Sequence, residues 1–242
     1  PKTIDNDLRT HTLHHYGGQQ NETVLCPGFP SGALAIKKLT AKLHTTNESH
    51  QRIMVLEVMG RDAGWLTGSA IFGGAQVALI PEVEMTRERK DFFFEFVKEK
   101  YMRSPKRSLI IAVSEGVRWW NEEKQTLDMV YASPDLDEYG HPRFGGISGV
   151  IASEISKKTG IEARGQISGY IPRAGKCSEY DRRLTSTLAD KVVDLLLRAD
   201  YGKMPVMKNI VPYSELEEYH TSAIEMGNIG NFPLPEDYYN AN

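Results

Sequence analysis

The chain has 242 residues, of which 40% are hydrophobic and 25% charged, and this composition is typical of a globular protein with an ordinary core. Its formal net charge of −3 excludes a global basic field that would attract nucleic acid or an anionic membrane. Without a long apolar run or a signal peptide, we expect no membrane partner and a cytoplasmic location. Cys26 and Cys177 lack metal-ligand spacing, and we expect reduced thiols.

The first seven residues carry the most informative pattern of the chain. Asp5 and Asp7 lie two residues apart, and Lys2 stands three residues before the first of them. Such a loop can hold a proton acceptor, a Mg²⁺ contact and a point charge for phosphate, which are the parts that phosphoryl transfer needs. Asp-Asn-Asp runs are also ordinary turn formers, so the pattern alone leaves a structural turn open. Because the chain starts without Met inside this motif, we expect a fragment of a longer protein.

A long polar segment, residues 9–25, separates this motif from the apolar part of the chain. Its position beside the Asp pair is compatible with a lid. The segment contains His11, His14 and His15, whose spacing would suit a metal ion if the segment were helical. The neighbouring Gly17-Gly18 pair and the lack of a carboxylate or thiol at matching spacing favour a solvated loop instead.

The rest of the chain alternates short apolar runs with amphipathic segments. Strands are predicted at residues 52–58, 77–80, 108–114, 162–168 and 206–211. Helices are predicted at residues 64–74, 87–102, 145–158 and 179–199. We expect these two longer helices, 87–102 and 179–199, to turn apolar side chains inward: Phe93, Phe96 and Val97; Leu184, Leu188, Val192, Leu195 and Leu196. Residues 119–137 are predicted to be a loop, and the tail after Glu225 to be loosely ordered.

This alternation predicts an α/β fold with doubly wound parallel sheets and helices on both faces. Glu115 and Gly116 follow the most apolar strand, at the carboxyl end where ligands of such sheets usually bind. A dinucleotide-dependent oxidoreductase would suit the same architecture. No G-x-G-x-x-G run follows a strand, however, and this argues against that class.

Five segments, in one order from Pro1 to about Leu197, resemble motifs of the phosphofructokinase family. Besides the opening Asp motif they are Val55-Leu56-Glu57-Val58-Met59-Gly60-Arg61, Ser114-Glu115-Gly116, Gly140-His141-Pro142-Arg143-Phe144-Gly145-Gly146-Ile147, and Gly169-Tyr170-Ile171-Pro172-Arg173 with Tyr180-Asp181-Arg182. Two features depart from the family pattern: the polar segment 9–25, and Pro30 where a glycine is usual.

The resemblance implies a phosphoryl transfer to the 1-hydroxyl of fructose 6-phosphate. It makes Asp5 the general base and Asp7 a contact of Mg²⁺, directly or through water. Lys2 would accompany pyrophosphate as the donor, although some ATP-using relatives also carry a lysine there. The segment 140–147 favours pyrophosphate over ATP. Thr3 would contact phosphate or cap the turn.

The resemblance also implies the residues that bind the sugar phosphate. Arg52, Arg164 and Arg173 would clamp the 6-phosphate, because guanidinium groups match phosphate oxygens with two parallel hydrogen bonds. A surface salt bridge is the alternative for each of them. Substrate contacts would also come from the following residues: Met59, Gly60, Arg61, Glu115 and Tyr170. Arg61 would stabilise charge on the transferred group.

Two discontinuous domains and an oligomer follow from the same resemblance. Residues 1–18 and 172–204 would belong to the donor-binding, catalytic α/β domain, and residues 26–171 and 205–242 to the substrate-binding α/β domain. Some of the arginines would reach a neighbouring subunit, which implies a homo-oligomer, a dimer or a tetramer. A non-catalytic fragment that binds sugar phosphate remains the alternative from another functional class.

Overall fold

The computed structural model describes residues 3–13, 19–136, 142–207, 222–225 and 229–231. These residues form thirteen strands: β1 Leu8–Leu13, β2 Gln19–Thr23, β3 Ile53–Val58, β4 Val77–Leu79, β5 Leu109–Ser114, β6 Arg118–Asn121, β7 Thr126–Met129, β8 Tyr131–Leu136, β9 Pro142–Phe144, β10 Ala163–Ile167, β11 Lys203–Val206, β12 Ser222–Glu225 and β13 Ile229–Asn231. They also form five α-helices: α1 Phe29–Ser49, α2 Trp65–Ser69, α3 Arg87–Arg103, α4 Ile147–Thr159 and α5 Glu179–Leu197. Single 3₁₀ turns lie at Ile71–Gly73 and Ile171–Arg173.

A four-stranded parallel sheet in the order β10-β3-β5-β4 forms the centre of the molecule. Every residue of β3 and β5 is buried, because helices cover both faces of the sheet. Alternate residues of each strand point to opposite faces, so that Val55 packs on one side and Leu56 on the other. The parallel, doubly wound α/β architecture predicted from the sequence is confirmed.

Each face of the sheet has its own apolar core. Helices α3 and α4 pack on one face through seven buried side chains: Phe93, Phe94, Val97, Ile147, Ile151, Ala152 and Ile155. Helices α1, α2 and α5 pack on the other face through five: Phe29, Ile36, Leu66, Leu184 and Leu188. No helix in the described part of the chain is both long and apolar enough to cross a membrane.

The segment 119–137 is not the loop that its polar sequence predicts. Strands β6 and β7 form an antiparallel hairpin, and β8 pairs with β9. Trp119 fixes the first hairpin to the core, since its ring is 3% exposed and its indole N–H donates to Glu154 on α4 at 3.3 Å. Lys90 of α3 closes the contact with an ion pair to Glu154 at 2.8 Å and a hydrogen bond to the Trp120 carbonyl at 2.9 Å.

The described parts of the polar segment, residues 9–13 and 19–25, form strands over most of their length rather than a solvated loop. Strand β1 pairs antiparallel with β2 and with β13, and the pairing with β2 covers Arg9–Leu13 against Gln19–Thr23. His11 therefore lies in a strand, where the helical spacing needed for a histidine metal site does not arise. His14, His15 and the Gly17-Gly18 pair lie outside the described residues, and the role of a lid stays a prediction.

Three further predictions differ from the structure in detail. The predicted helix 64–74 is split into the short α2 and a 3₁₀ turn. Strand β11 reaches Val206, and residues 208–211 of the last predicted strand lie outside the described residues. Phe94 is buried although it was not predicted, whereas Phe96 is half-buried. On α5, Val192 and Leu196 are 41% and 58% exposed. At about 100° per residue they lie roughly 80° and 120° around the helix from Leu184, outside the stripe that faces the core.

Three helices follow a glycine whose backbone N–H donates to the carboxylate of an acid distant in the sequence. Helices α1, α2 and α4 follow Gly28, Gly64 and Gly146, and none of these helices has a side-chain cap of its own. Glu57 of β3 accepts the Gly146 N–H at 3.1 Å and the Ser148 N–H at 3.0 Å. A carboxylate at this position satisfies free backbone donors and the positive end of the helix dipole. Glu82 does the same for Gly64, and Asp181 for Gly28.

Candidate active site

The carboxyl ends of β3 and β5 lie side by side and carry two of the predicted site segments. The Glu115 N–H donates to the Val58 carbonyl at 2.9 Å, and the Gly116 N–H donates to the Gly60 carbonyl at 3.1 Å. A Cβ at Gly116 would lie 1.8 Å from the Arg61 carbonyl oxygen, so only glycine permits this close crossing of the two chains. The Gly60 N–H points at the Glu115 carboxylate, at 3.5 Å.

The opening Asp motif folds as a tight turn. The Asn6 N–H donates to the Thr3 carbonyl at 3.4 Å, and the Asp5 N–H donates to the Thr3 hydroxyl at 3.3 Å. Asn6 has φ +55°, in the left-handed region that Asn tolerates better than most residues. One oxygen of Asp5 is buried and has no hydrogen-bond partner. An unpaired buried acceptor typically costs about 1–3 kcal/mol, and such groups cluster where function requires them.

The Asp turn is held against the loop that leads into α1. The Asn6 side-chain oxygen accepts the Cys26 N–H at 2.9 Å, and Asn6 is 1% exposed. The Ile4 side chain contacts the backbone of Gly28, and a Cβ there would lie 3.1 Å from it. Burial raises the pKa of the Cys26 thiol to about 12, so this cysteine is an inert part of the packing.

Asp181 ties the same loop to the start of α5. Its carboxylate is 3% exposed and accepts the Gly28 N–H at 2.8 Å, the Ser31 N–H at 2.7 Å and the Ser31 hydroxyl. The hydroxyl of Ser178, the cap of α5, lies 3.4 Å from the same carboxylate. In the sequence, Asp181 stands out only as part of the Tyr180-Asp181-Arg182 motif. Nothing there indicates that it is buried and joins the loop before α1 to α5.

These contacts bring the start of the Asp turn and the segment Pro172–Cys177 to one cavity of about 510 Å³. Thr3 and Ile4 line it from the Asp turn. The remaining lining residues come from the loop before α1 and from the segment before α5: Pro27, Gly28, Ser31, Pro172, Arg173, Ala174, Gly175, Lys176 and Cys177. Arg173 ends a 3₁₀ turn with its side chain exposed, and Tyr170 is 77% exposed.

Near this cavity, burial and neighbouring charges raise the pKa values of three carboxyl groups. Burial, followed by the neighbouring Asp7 carboxylate, raises the pKa of Asp5, while Arg173 and Arg61 act in the opposite direction. Burial likewise raises the pKa of Asp7. The pKa of Glu115 is raised mainly by burial, with Asp5 adding to the effect and Arg173 opposing it. Groups perturbed by burial and by a specific charged neighbour are frequent at catalytic sites.

Arg52 and Arg164 lie at the opposite end of the sheet. Arg52 precedes β3, and Arg164 pairs with Met54, near the start of that strand. At about 3.3 Å per residue, roughly 13–20 Å of strand separates them from Val58. The Arg52 Nε is buried without a partner, and the exposed Arg164 pairs with Glu162 at 2.9 Å. The structure therefore does not bring these two arginines to the cleft of their own chain.

The remaining predicted residues are distributed around the strand ends. Met59 is half-buried and packs against the core that α1, α2 and α5 cover. The Arg61 side chain is exposed and lines a second groove of about 470 Å³ together with Gly116 and Arg118. Lys2 lies outside the described residues. No group of three or more His, Cys, Asp or Glu side chains suited to a metal ion occurs in the described part of the chain.

A family model described as phosphofructokinase matches residues 1–196. Among curated proteins, the chain is 36% identical over 209 residues to a pyrophosphate--fructose 6-phosphate 1-phosphotransferase of Streptomyces coelicolor, covering 86% of this chain and 55% of the relative. It is also 36% identical over 230 residues to ATP-dependent 6-phosphofructokinase 2 of Clostridium perfringens, covering 93% of this chain and 57% of the relative. The chain thus spans about half the length of these relatives.

Solved structures share the fold. The pyrophosphate-dependent phosphofructokinase from Nitrosospira multiformis superposes with a TM-score of 0.71 at 22% identity, covering 98% of this chain and 54% of the other. A phosphofructokinase from Saccharomyces cerevisiae superposes with a TM-score of 0.64 at 23% identity, covering 90% of this chain and 25% of the other. At these identities the likeness establishes the fold.

Proposed function

This chain belongs to the phosphofructokinase family, and from that premise we propose that the whole protein transfers a phosphoryl group from pyrophosphate to the 1-hydroxyl of fructose 6-phosphate. The products are fructose 1,6-bisphosphate and phosphate. The observation that carries the proposal is the half-buried Asp5, which lies within electrostatic range of both Arg173 and Glu115, next to a cavity that Thr3, Ile4 and Arg173 line. An acid with a raised pKa, a cation and a second acid are the groups that a hydroxyl nucleophile and a sugar phosphate require.

Asp5 acts as the general base in this proposal. The 1-hydroxyl oxygen forms a bond to the phosphorus of the donor, the bridging P–O bond of the donor breaks, and the hydroxyl proton passes to the Asp5 carboxylate. The half-buried Asp5 carboxylate supports this role, because burial raises its pKa and one of its oxygens is buried without a hydrogen-bond partner in the protein. A positioned base typically contributes about 10²–10⁴-fold in rate.

The sugar phosphate is bound by residues on the other side of the cleft. The exposed guanidinium of Arg173 is a donor for the 6-phosphate, and the Tyr170 hydroxyl adds a polar contact there. Glu115 accepts hydrogen bonds from sugar hydroxyls, and its raised pKa reflects the burial of that carboxylate. Gly60 and Met59 bring the backbone close to the sugar, Thr3 contacts phosphate, and Arg61 stabilises charge on the transferred group.

Mg²⁺ is the cofactor that we propose for this reaction. The donor set fits it, because Asp5 and Asp7 supply carboxylate oxygens and mutual repulsion contributes to the raised pKa of Asp5, which a cation would relieve. Mg²⁺ is commonly held by one or two carboxylates plus substrate phosphates and water. Asp7, directly or through water, would hold the ion, which supplies neutralisation of phosphate charge.

Pyrophosphate is the favoured donor, and ATP is the alternative. Lys2 and the segment 140–147 favour pyrophosphate on their resemblance to pyrophosphate-using members. The alternative is supported by the ATP-dependent relative from Clostridium perfringens, which is as similar as the pyrophosphate-dependent relative from Streptomyces coelicolor. The decisive assay supplies the whole protein with Mg²⁺, fructose 6-phosphate and either pyrophosphate or ATP. Turnover with ATP alone would overturn the pyrophosphate proposal.

We also propose that the protein is a homo-oligomer in which arginines are shared between subunits. The support is the position of Arg52 and Arg164, which carry cations at the end of the sheet remote from their own cleft. In this arrangement they reach the 6-phosphate bound by a neighbouring subunit, as the family resemblance implies. The dimer or tetramer would be recognised by its mass in sedimentation or light scattering.

The division into a donor-binding domain, residues 1–18 and 172–204, and a substrate-binding domain, residues 26–171 and 205–242, belongs to the same proposal. We place the protein in the cytoplasm, which the two free cysteines support. A non-catalytic protein that only binds sugar phosphate is the remaining alternative. It would bind fructose 6-phosphate in calorimetry and turn over neither donor.

A further inference from the structure

Asn6, between the two acids of the Asp turn, is more deeply buried than either of them. It is 1% exposed, whereas Asp7 is 9% exposed and Asp5 is half-buried. Its φ of +55° places it in the left-handed region, which most side chains disfavour and which Asn and Gly adopt more readily. The direction in which the chain enters and leaves this residue sets the directions of Asp5 and Asp7.

The Asn6 side chain anchors the turn to a part of the molecule that is itself fixed. Its Oδ1 accepts the N–H of Cys26, 20 residues away, at 2.9 Å. Cys26 is fully buried, and its carbonyl accepts the Phe29 N–H at 3.1 Å at the start of α1. The same helix start is held by Asp181, whose carboxylate also reaches Ser178 before α5. The hydrogen bond that Asn6 accepts from Cys26 thus connects the turn to the loop before α1, which lines the cavity with Pro27 and Gly28.

The side-chain nitrogen of Asn6, Nδ2, is buried and has no hydrogen-bond partner. A buried donor left unpaired opposes stability, so this asparagine is a poor choice if its only task were to stabilise the turn. Left-handed backbone, a long-range tether and a half-satisfied amide are together better explained by a demand on geometry. That demand would come from the carboxylate next to it.

We infer that Asn6 is a positioning residue that fixes the direction of the Asp5 carboxylate beside the cavity lined by Thr3, Ile4 and Arg173, through its left-handed backbone and its tether to Cys26. The inference rests on the proposed function, in which Asp5 is the base. Asn6 touches no substrate in this scheme. It acts through Asp5, because a misplacement of a reacting group by about 1 Å can lower a rate by about 10²-fold.

The molecule offers a matched control in Asn47, near the end of α1. It is also fully buried and also half-satisfied: its amide nitrogen donates to Ser108 at 2.8 Å and to the Leu109 carbonyl at 3.0 Å, while its oxygen has no partner. Asn47 lies at the amino end of β5, away from the Asp turn. Asn47→Ala therefore removes a buried asparagine of similar surroundings without changing the cleft.

The test measures kcat, KM for fructose 6-phosphate and the pH profile of kcat in the whole protein. Asn6→Ala, which loses both the backbone preference and the tether, should lower kcat by about 10²-fold with KM within about 3-fold. Asn6→Gly keeps the left-handed backbone and loses only the tether, so its loss should be smaller, about 10-fold. The acid limb of the pH profile should move in both variants. Asn47→Ala should leave kcat and the profile unchanged.

A double variant separates positioning from general damage. In an Asp5→Asn background, adding Asn6→Ala should change kcat by less than about 2-fold, because groups that act as a unit are strongly non-additive. An additive loss overturns the positioning role. A normal kcat in Asn6→Ala beside a collapsed kcat in Asp5→Asn overturns this inference and leaves the proposed function intact. A normal kcat in Asp5→Asn overturns both.

Discussion

The two ends of the parallel sheet present polar groups of opposite character. At the carboxyl end, the turn that carries Asp5 and the strand end that carries Glu115 hold partly buried acids with raised pKa values. At the amino end, Arg52 and Arg164 hold cations that no acid of the cleft can reach. Acids at one end and arginines at the other could not meet within one chain.

Under the proposed function, the chain therefore supplies the acids of the site but only one of the three arginines expected to bind phosphate. Arg173 is the one predicted clamp that shares the cavity with the Asp turn. Its exposed side chain contrasts with the tightly fixed backbone beneath the acids, where glycines allow chain crossings that a single Cβ would prevent. The positions of the acids are set by the fold, whereas the exposed Arg173 side chain is not held by the core.

The largest effect should come from removing the base. Asp5→Asn in the whole protein should lower kcat by at least about 10²-fold with little change in KM, because the amide accepts no proton. Stopped-time assays of fructose 1,6-bisphosphate formation would measure it, and circular dichroism would check that the fold is kept. A turnover close to that of the unchanged protein would show that Asp5 is not the base. The acids at the carboxyl end of the sheet would then have no support as catalytic groups.

The next effect should come from the cation of the cleft. Arg173→Ala should raise KM for fructose 6-phosphate by about 10–100-fold, since a charged hydrogen bond contributes about 1.5–3 kcal/mol. Lys176→Ala is the control, because Lys176 lines the same cavity and has no proposed role. Equal effects of the two substitutions would mean that general positive charge, rather than the guanidinium of Arg173, attracts the substrate.

A smaller effect is expected at the amino end of the sheet. Arg52→Ala should raise KM by about 10-fold in the oligomer, because one of several phosphate contacts is lost. Co-expression of Arg52→Ala subunits with Asp5→Asn subunits tests whether the arginine acts in the site of a neighbouring subunit. Mixed oligomers contain sites with an intact base from one subunit and an intact Arg52 from the other. At fructose 6-phosphate concentrations well below KM, activity above both parents is expected, and its absence would refute the sharing of arginines.

The smallest effect concerns stability. The raised pKa of Asp5 means that the folded state binds more protons than the unfolded state between the ordinary carboxyl pKa of about 3.9 and the raised value. Stability therefore falls as the pH rises through that window. Asp5→Asn should stabilise the protein at pH 7, and the gain should vanish below the ordinary carboxyl pKa. Urea denaturation at several pH values would measure it, and a variant that is less stable at pH 7 would contradict the burial penalty.

The sequence predicted the central elements well because their signals are local. The buried strands β3 and β5 each contain an apolar run, Ile53–Leu56 and Leu109–Val113. Gly160, with φ +74°, ends α4, as glycine commonly does at a helix C-terminus. The hairpin of β6 and β7 was missed, because exposed pairs such as Lys124 and Asp128 look like a solvated loop until the partner strand is known.

The candidate site was predictable only through motifs. Nothing local connects Asp5 with Arg173, which is 168 positions further along the chain, and the resemblance to a family supplied that link. The residues that hold the cleft together were not found. Asp181 and Glu57 look like ordinary acids in the sequence, and their buried partners become visible only when distant segments meet. Asn6 could have been suspected from the preference of Asn for left-handed turns.

The acid contacts at the helix starts have a consequence for synthesis on the ribosome. Gly28 and its partner Asp181 are 153 positions apart, and Gly146 and Glu57 are 89 apart. At a translation rate of about 5–20 residues per second, the start of α1 waits roughly 8–30 s for its acid to be made. During that interval the nascent helix keeps unsatisfied amides and an uncovered apolar face, which is the kind of surface that chaperones bind.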